Sequence, residues 1–168
     1  MTLVAETERL RLHQFDADDA AFILQLVNEP AWLEFIGDKG VRTLDDARAY
    51  IANGPVAMYR RHGYGLYRVV LKDSGESIGM CGLVRRDTLP DADIGYAFLP
   101  PHWGRGYAEE AARATVDHAR RLGLPRLLAI VTPTNQRSIR LLEKLDLRFE
   151  REIDTPTAAS TAVYARDL

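Results

Sequence analysis

The fold of this chain is decided by residues 93–132, which read DIGYAFLPPHWGRGYAEEAARATVDHARRLGLPRLLAIVT. Residues 93–99 alternate bulky with small side chains, which predicts a β-strand with one face open to close approach. Residues 104–122 repeat apolar side chains at helical spacing, and a following glycine and proline end that helix. Residues 126–132 carry an unbroken apolar run, typical of a strand buried on both faces. We therefore expect two parallel strands joined by a right-handed crossover.

The segments on either side of this crossover indicate an antiparallel sheet. Capping patterns begin two helices at Asp16 and Thr43, and the prolines at positions 30 and 55 are predicted to end them. A further helix is predicted at residues 135–145. Period-two segments predict strands at residues 8–15, 66–72, 77–84, 148–153 and 161–166.

Together these elements predict a single domain, residues 1–168. The fold class is α+β (α/β), with a mixed, mostly antiparallel central sheet of about seven strands and one parallel βαβ pair. About four helices flank the sheet.

Composition excludes several classes of function. The formal charge is −2 and no block of like charges occurs, so neither nucleic acid nor a membrane surface is an expected partner. No run of eighteen apolar residues and no leader pattern occurs, so we expect a cytoplasmic protein without a membrane span. Cys81, the only cysteine, is expected to be a buried apolar thiol. The four histidines lack metal-ligand spacing, so no metal is expected.

Residues 103–108, WGRGYA, lie where the first strand of the crossover passes into its helix. The two glycines let backbone amides turn inward, and a helix N-terminus adds unpaired N–H groups and the positive end of the helix dipole. This pattern favours an anion such as a pyrophosphate. From these residues alone, a turn that only reverses the chain is an equally good explanation. A dinucleotide fingerprint needs a third glycine where this chain has Glu109, and a P-loop needs a Gly-Lys-Ser/Thr that is absent.

The order of elements, the turn WGRGYAEEA and the downstream NQRSIRLLEKLDLRFE resemble the GNAT N-acetyltransferase superfamily. Within it, they resemble the branch of Rim-type ribosomal-protein N-acetyltransferases, over essentially the whole chain. The family's turn has Gln or Arg, two residues, Gly, one residue, then Gly or Ala. Trp103, Gly106 and Ala108 hold those places, so only the first departs. Asp146 replaces the glycine that usually ends the downstream helix, and it tolerates left-handed geometry less well.

The resemblance implies a coenzyme A site along the strand and its turn. The backbone of Phe98 and Leu99 would pair with the pantetheine arm like an added strand. Asn135 and Ser138 would face the cofactor, and Arg105 would add charge to the phosphates. The pyrophosphate would be held by the amides of Trp103, Gly104, Arg105, Gly106, Tyr107 and Ala108.

The resemblance also implies acetyl transfer from acetyl-CoA to a primary amine, either a protein N-terminus or a small molecule. Asp93 is the candidate base, directly or through a water, and a carboxylate in a polar turn is the alternative reading. Ser138 is the candidate proton donor for the leaving thiolate, and a backbone N–H near Leu99 would polarise the carbonyl. We expect Trp32 and Tyr96 to contact the acceptor, although core packing explains Trp32 equally well.

Two other classes of function stay open on the sequence. One is an acyl-CoA-binding sensor or interaction module without catalysis. The other is a dinucleotide-binding domain, which requires a parallel sheet and is disfavoured by the hairpin at residues 66–84. The identity of the acceptor, the acyl-chain length and the choice between monomer and homodimer are not determined by the sequence.

Overall fold

The computed structural model describes residues 2–155 and 158–168. Within them, one eight-stranded sheet carries helices on both faces. The strands are β1 Leu3–Glu6, β2 Leu10–Gln14, β3 Leu66–Leu71, β4 Ser77–Val84, β5 Asp93–Phe98, β6 Arg126–Val131, β7 Arg148–Thr155 and β8 Ala158–Asp167. The α-helices are α1 Ala20–Leu26, α2 Pro30–Phe35, α3 Leu44–Ile51, α4 Ala57–His62, α5 Tyr107–Arg121 and α6 Gln136–Lys144.

The strand order confirms the predicted mixed sheet. It runs β1-β2-β3-β4-β5-β6-β8-β7, and of these neighbours only β5 and β6 pair in parallel, with α5 as their crossover. The sheet has eight strands where about seven were expected, because β1 adds to the edge with Leu3 opposite His13. The residues of β1, LVAE, do not alternate apolar with polar side chains, so no period of two marks this strand.

The helices depart from the prediction at two prolines. Both predicted capping boxes are present, at Asp16 and at Thr43. Pro30 begins α2, because the first helical position does not need its N–H group. Pro55 was predicted to end a helix, but the backbone widens there into a π turn, Ala52–Val56, and continues as α4. The wider turn accommodates a residue that an α-helical interior excludes, so six α-helices are seen where about four were expected.

Strand β5 separates two hydrophobic cores. Tyr96 and Phe98 pack in the core that α5 and α6 cover. Ala97 and Leu99 pack in the core that α1 and α3 cover. Because side chains alternate along a strand, Asp93 lies on the α1/α3 side. The two faces of β5 therefore have different surroundings, the α5/α6 core on one face and the α1/α3 core on the other.

The parallel pairing of β5 with β6 is limited to the start of β5. Asp93 lies opposite Leu128, and the Leu128 N–H donates to the Ala92 carbonyl at 2.9 Å. In the described part of the chain, no later residue of β5 pairs with β6, whose other edge pairs with β8. The edge of β5 from Ile94 to Phe98 thus faces a gap, which we call the β5–β6 cleft.

Candidate active site

The backbone of β5 directs polar groups into the β5–β6 cleft at alternate residues. The Leu99 N–H donates to the Ile78 carbonyl at 2.9 Å, and the Leu99 carbonyl accepts from the His102 N–H at 3.0 Å. Because ladder bonds alternate in direction along a strand, the backbone groups of Tyr96 and Phe98 point to the other side, into the cleft. This corrects the expectation for Leu99, whose amide is engaged inside the sheet. Tyr96 and Phe98 are the residues whose edge can receive an added strand.

The turn at residues 103–108 presents uncapped amides at the start of α5. Gly104 and Gly106 have φ of 74° and 82°, in the left-handed region that favours glycine. No side chain caps α5, and its first helical bond runs from the Glu110 N–H to the Gly106 carbonyl at 3.1 Å. The amides of residues 107–109 therefore have no acceptor within the helix. Together with the helix dipole, they suit a negatively charged group.

Arg9, in the β1–β2 connection, contacts this turn through its side chain. No sequence pattern had indicated a role for Arg9. Its guanidinium donates to the Arg105 carbonyl at 3.0 Å and pairs with Glu110 at 2.7 Å. The same group lies 4.4 Å from the centre of the Tyr107 ring, a cation–π contact. Roughly a hundred residues separate the partners along the chain, so no local pattern marks the contact.

The first turn of α6 meets both β5 and the turn that precedes α5. Asn135 caps α6 by accepting from the Ser138 N–H at 3.3 Å. Arg137 lies 4.4 Å from the centre of the Trp103 ring, and the Trp103 indole N–H donates to the Phe98 carbonyl at 2.7 Å. The two sequence signatures, which begin at Trp103 and Asn135, thus converge on one end of the cleft.

Tyr96 and Ser138 form a hydroxyl pair on the α6 side of the cleft. The Tyr96 hydroxyl lies 2.7 Å from the Ser138 hydroxyl, and burial raises the pKa of Tyr96. Trp32 lies in the opposite core, where it is only 5% exposed. The structure therefore does not bring Trp32 and Tyr96 together as one acceptor surface, and it places Trp32 in the core, the alternative reading of the sequence.

Asp93 lies at the closed end of the cleft, where β5 and β6 pair. It is 1% exposed, and its Oδ1 accepts from Arg86 Nε at 3.0 Å. Burial raises the pKa of Asp93 to about 6, although the charge of Arg86 opposes the shift. Five residue steps separate Asp93 from Phe98, or about 17 Å at the usual rise along a strand. A carboxylate and a turn with uncapped amides thus lie toward the two ends of one strand.

Comparison with known proteins identifies the family. Residues 9–148 match the acetyltransferase (GNAT) domain. The chain belongs to the GNAT acetyltransferase family. The uncharacterized N-acetyltransferase p20 of Bacillus licheniformis is 31% identical over 147 residues, which are 86% of this chain and 82% of that protein.

Solved structures agree with this family. An acetyltransferase from Agrobacterium tumefaciens str. C58 has a TM-score of 0.82 at 26% identity, covering 99% of this chain and 94% of that one. RimL, a ribosomal L7/L12 alpha-N-protein acetyltransferase in complex with coenzyme A, has a TM-score of 0.81 over 99% of this chain and 98% of that one. Its identity to this chain is 20%, so it shows the common fold alone.

As a GNAT enzyme, the chain transfers an acetyl group from acetyl-CoA. Its uncapped amides and left-handed glycines suit the pyrophosphate of that donor, and the free edge of β5 suits its amide-containing arm. Within the described residues, no three His, Cys, Asp or Glu side chains lie close enough to hold a metal ion. None of the helices described is long and apolar enough to cross a membrane.

Proposed function

We propose that this GNAT enzyme acetylates a primary amine by direct attack, with Asp93 as the base. One observation carries the proposal: a carboxylate with its pKa raised to about 6 stands at the closed end of the β5–β6 cleft. Such a group is ionised at neutral pH and accepts a proton more readily than an ordinary carboxylate. The amine attacks the thioester carbonyl as a free base, and Asp93 takes the proton that leaves the nitrogen.

The donor lies along the cleft with its pyrophosphate at the turn before α5. The amides of residues 107–109 bind the pyrophosphate, while Tyr96 and Phe98 pair with the pantetheine arm. A cleft-facing amide of these two residues, rather than that of Leu99, polarises the thioester carbonyl. The Trp103 indole donates to the carbonyl of Phe98, whose second lone pair remains for the arm.

The leaving thiolate accepts a hydrogen bond from the hydroxyl pair of Tyr96 and Ser138. A coenzyme A thiol resembles a free thiol, with a pKa of about 8.5, so it leaves without strict need of an acid. Burial raises the pKa of Tyr96 and keeps its hydroxyl protonated, so the two hydroxyls, 2.7 Å apart, stabilise the thiolate as hydrogen-bond donors, and the sulfur then takes its proton from solvent. This pair is therefore an aid to the rate rather than a requirement.

Three finer assignments stay predictions. Assignment to the Rim-type branch would make a protein N-terminus the acceptor, as in RimL, whose likeness to this chain is one of fold. The oligomeric state is a monomer or a homodimer. The proposed location is the cytoplasm, which the buried free thiol of Cys81 suits.

The first test is a calorimetric titration with acetyl-CoA, with NAD as the negative comparison. A parallel assay follows release of the coenzyme A thiol against a library of primary amines. We expect binding of acetyl-CoA but not NAD, and turnover with some amines that Asp93→Asn lowers by roughly 100-fold or more while acetyl-CoA still binds. Binding without turnover on any amine would instead indicate the acyl-CoA sensor, and absence of binding would overturn the proposed donor site.

A further inference from the structure

A cavity opens on the α1/α3 side of the sheet, between the α2–α3 connection and α3. Its volume is about 410 Å³, and its lining includes Lys39, Asp46, Tyr50 and Asn53. The charge of Arg86 affects the pKa of both Lys39 and Tyr50, so its guanidinium lies within electrostatic range of two residues of this lining. The same guanidinium pairs with Asp93 at 3.0 Å, and Arg86 thus connects the cavity lining with the proposed base.

Arg86 and Lys39 have hydrogen-bond donors that no partner uses in the described residues. Only Nε of Arg86 has a partner in the described residues, so both terminal nitrogens of a guanidinium that is 43% exposed are free. Lys39 has no carboxylate within ion-pair distance in the same residues. Its pKa is lowered by burial and then by the positive charge of Arg86. The pairing of Arg86 with Asp93 leaves these terminal donors unused, and an unpaired Lys39 within their electrostatic range favours binding of a further anion.

Asp46, the acidic residue in the cavity wall, does not neutralise Arg86 and Lys39. Asp46 accepts from the N–H groups of Arg42 and Thr43 in the capping box of α3, and these contacts lower its pKa. Asp93 is held by Nε of Arg86, which leaves the forked end of the guanidinium for another partner. A carboxylate matches that fork, because its two oxygens accept two parallel hydrogen bonds.

We infer that Arg86 and Lys39 bind a carboxylate of the acceptor, so that the acceptor is an amine with a carboxylate close to its nitrogen. Arg86 contacts Asp93 with one side of its guanidinium and would hold the carboxylate with the other. A short linker, as in an α-amino acid, then sets the amine beside Asp93. This inference rests on the proposed function and names its substrate class.

The carboxylate has two possible sources, a free α-carboxylate or the acidic side chain of a peptide's first residue. The assay therefore compares alanine, alaninamide and a dipeptide amide that begins with glutamate. The value of kcat/KM for each is calculated from the concentration of the unprotonated amine. We expect alanine to exceed alaninamide in kcat/KM by roughly 10- to 100-fold, the range for a charge-assisted hydrogen bond. If the dipeptide amide is preferred instead, the carboxylate comes from the side chain.

Two variants and one control assign the effect to the cations. Lys39→Gln and Arg86→Gln should lower the preference for the carboxylate, mainly through KM for Lys39→Gln because Lys39 does not contact Asp93. Arg48→Gln removes an exposed cation of α3 that pairs with Asp45 on the same helix, so the preference should be unchanged. Equal rates for the carboxylate and amide acceptors, or a preference that Lys39→Gln leaves intact, would overturn the inference while the acetyltransferase proposal stands.

A binding measurement separates this inference from the proposed reaction. The protein is titrated with N-acetylalanine and with N-acetylalaninamide in the presence of coenzyme A, where no turnover is needed. Tighter binding of N-acetylalanine, lost in Lys39→Gln but not in Arg48→Gln, supports the carboxylate site even if no amine is acetylated. Equal binding of the two compounds overturns it.

Discussion

The two ends of β5 are built in different ways. The proposed donor end, from Phe98 through the turn at residues 103–108, is made of backbone groups from one contiguous segment. The proposed acceptor end would use side chains from separate segments, those of Lys39, Arg86 and Asp93. Backbone sites tolerate most side-chain changes and fail when the backbone path changes, whereas a side-chain site depends on each member.

The largest effect is expected at the donor end, from Gly106→Asp. Gly106 has a φ of 82°, its added Cβ would lie 3.3 Å from Arg9 Nη2, and the new carboxylate would repel a pyrophosphate. We expect acetyl-CoA affinity to fall by about 100-fold or more in calorimetry. Gly123→Ala is the matched control, because Gly123 has a φ of 79° at the other end of α5. An equal loss of affinity in that control would mean that general strain, not the anion site, explains the result.

Asp93→Asn should separate the two ends most clearly. The variant keeps the shape of the side chain but accepts no proton, so kcat should fall by roughly 100-fold or more while acetyl-CoA affinity is retained. Asp91→Asn, two residues away, is the control. Retention of nearly full activity in Asp93→Asn would remove Asp93 from the mechanism.

The pH dependence follows from the same carboxylate. Burial raises the pKa of Asp93 to about 6, and the ionised form is the base, so kcat/KM should fall as the pH drops below about 6. This fall in kcat/KM at low pH should be absent from the residual activity of Asp93→Asn. If the fall in kcat/KM persists unchanged in the variant, the titration of another group causes it.

Tyr96→Phe should have a moderate effect, because it removes one hydroxyl from the pair and keeps the ring in its core. We expect kcat to fall by roughly tenfold or less, since a thiolate leaves without obligatory protonation. Tyr64→Phe, in the same core, serves as the control. A rise in KM for acetyl-CoA with kcat unchanged would show that the hydroxyl only positions the donor.

The smallest effect is expected away from both ends, from Asp146→Gly. Asp146 has a φ of 64°, and the Leu147 N–H bonds to the Leu142 carbonyl at 3.0 Å, as in a helix that ends in a left-handed residue. Glycine adopts this conformation without strain, so the free energy of unfolding should rise by about 1 kcal/mol with binding and rate unchanged. Denaturant unfolding measures this, and a loss of stability would mean that the weak pairing of Asp146 with Arg148, at 3.7 Å, matters more than strain.

Much of the fold could be predicted because its signals are local. The capping boxes at Asp16 and Thr43, the hairpin of β3 and β4, and the buried run of β6 each act within a few residues. Pro55 was misread because a rule for α-helices does not anticipate a π turn. The left-handed turn at Asp146 formed despite the missing glycine, because the packing of Leu147 at 0% exposure holds the chain there.

The sequence by itself determined the uncapped start of α5, because a glycine turn at the start of a helix exposes backbone amides whatever lies elsewhere in the chain. Only the tertiary structure decided which amides of β5 face the cleft, since the pairing of Leu99 with Ile78 sets the alternation. The tertiary structure alone also decided the surroundings of Asp93 at the proposed acceptor end. The charge around Asp93 and the brace of Arg9 depend on contacts between distant segments, and side-chain chemistry of that kind has no period along the chain.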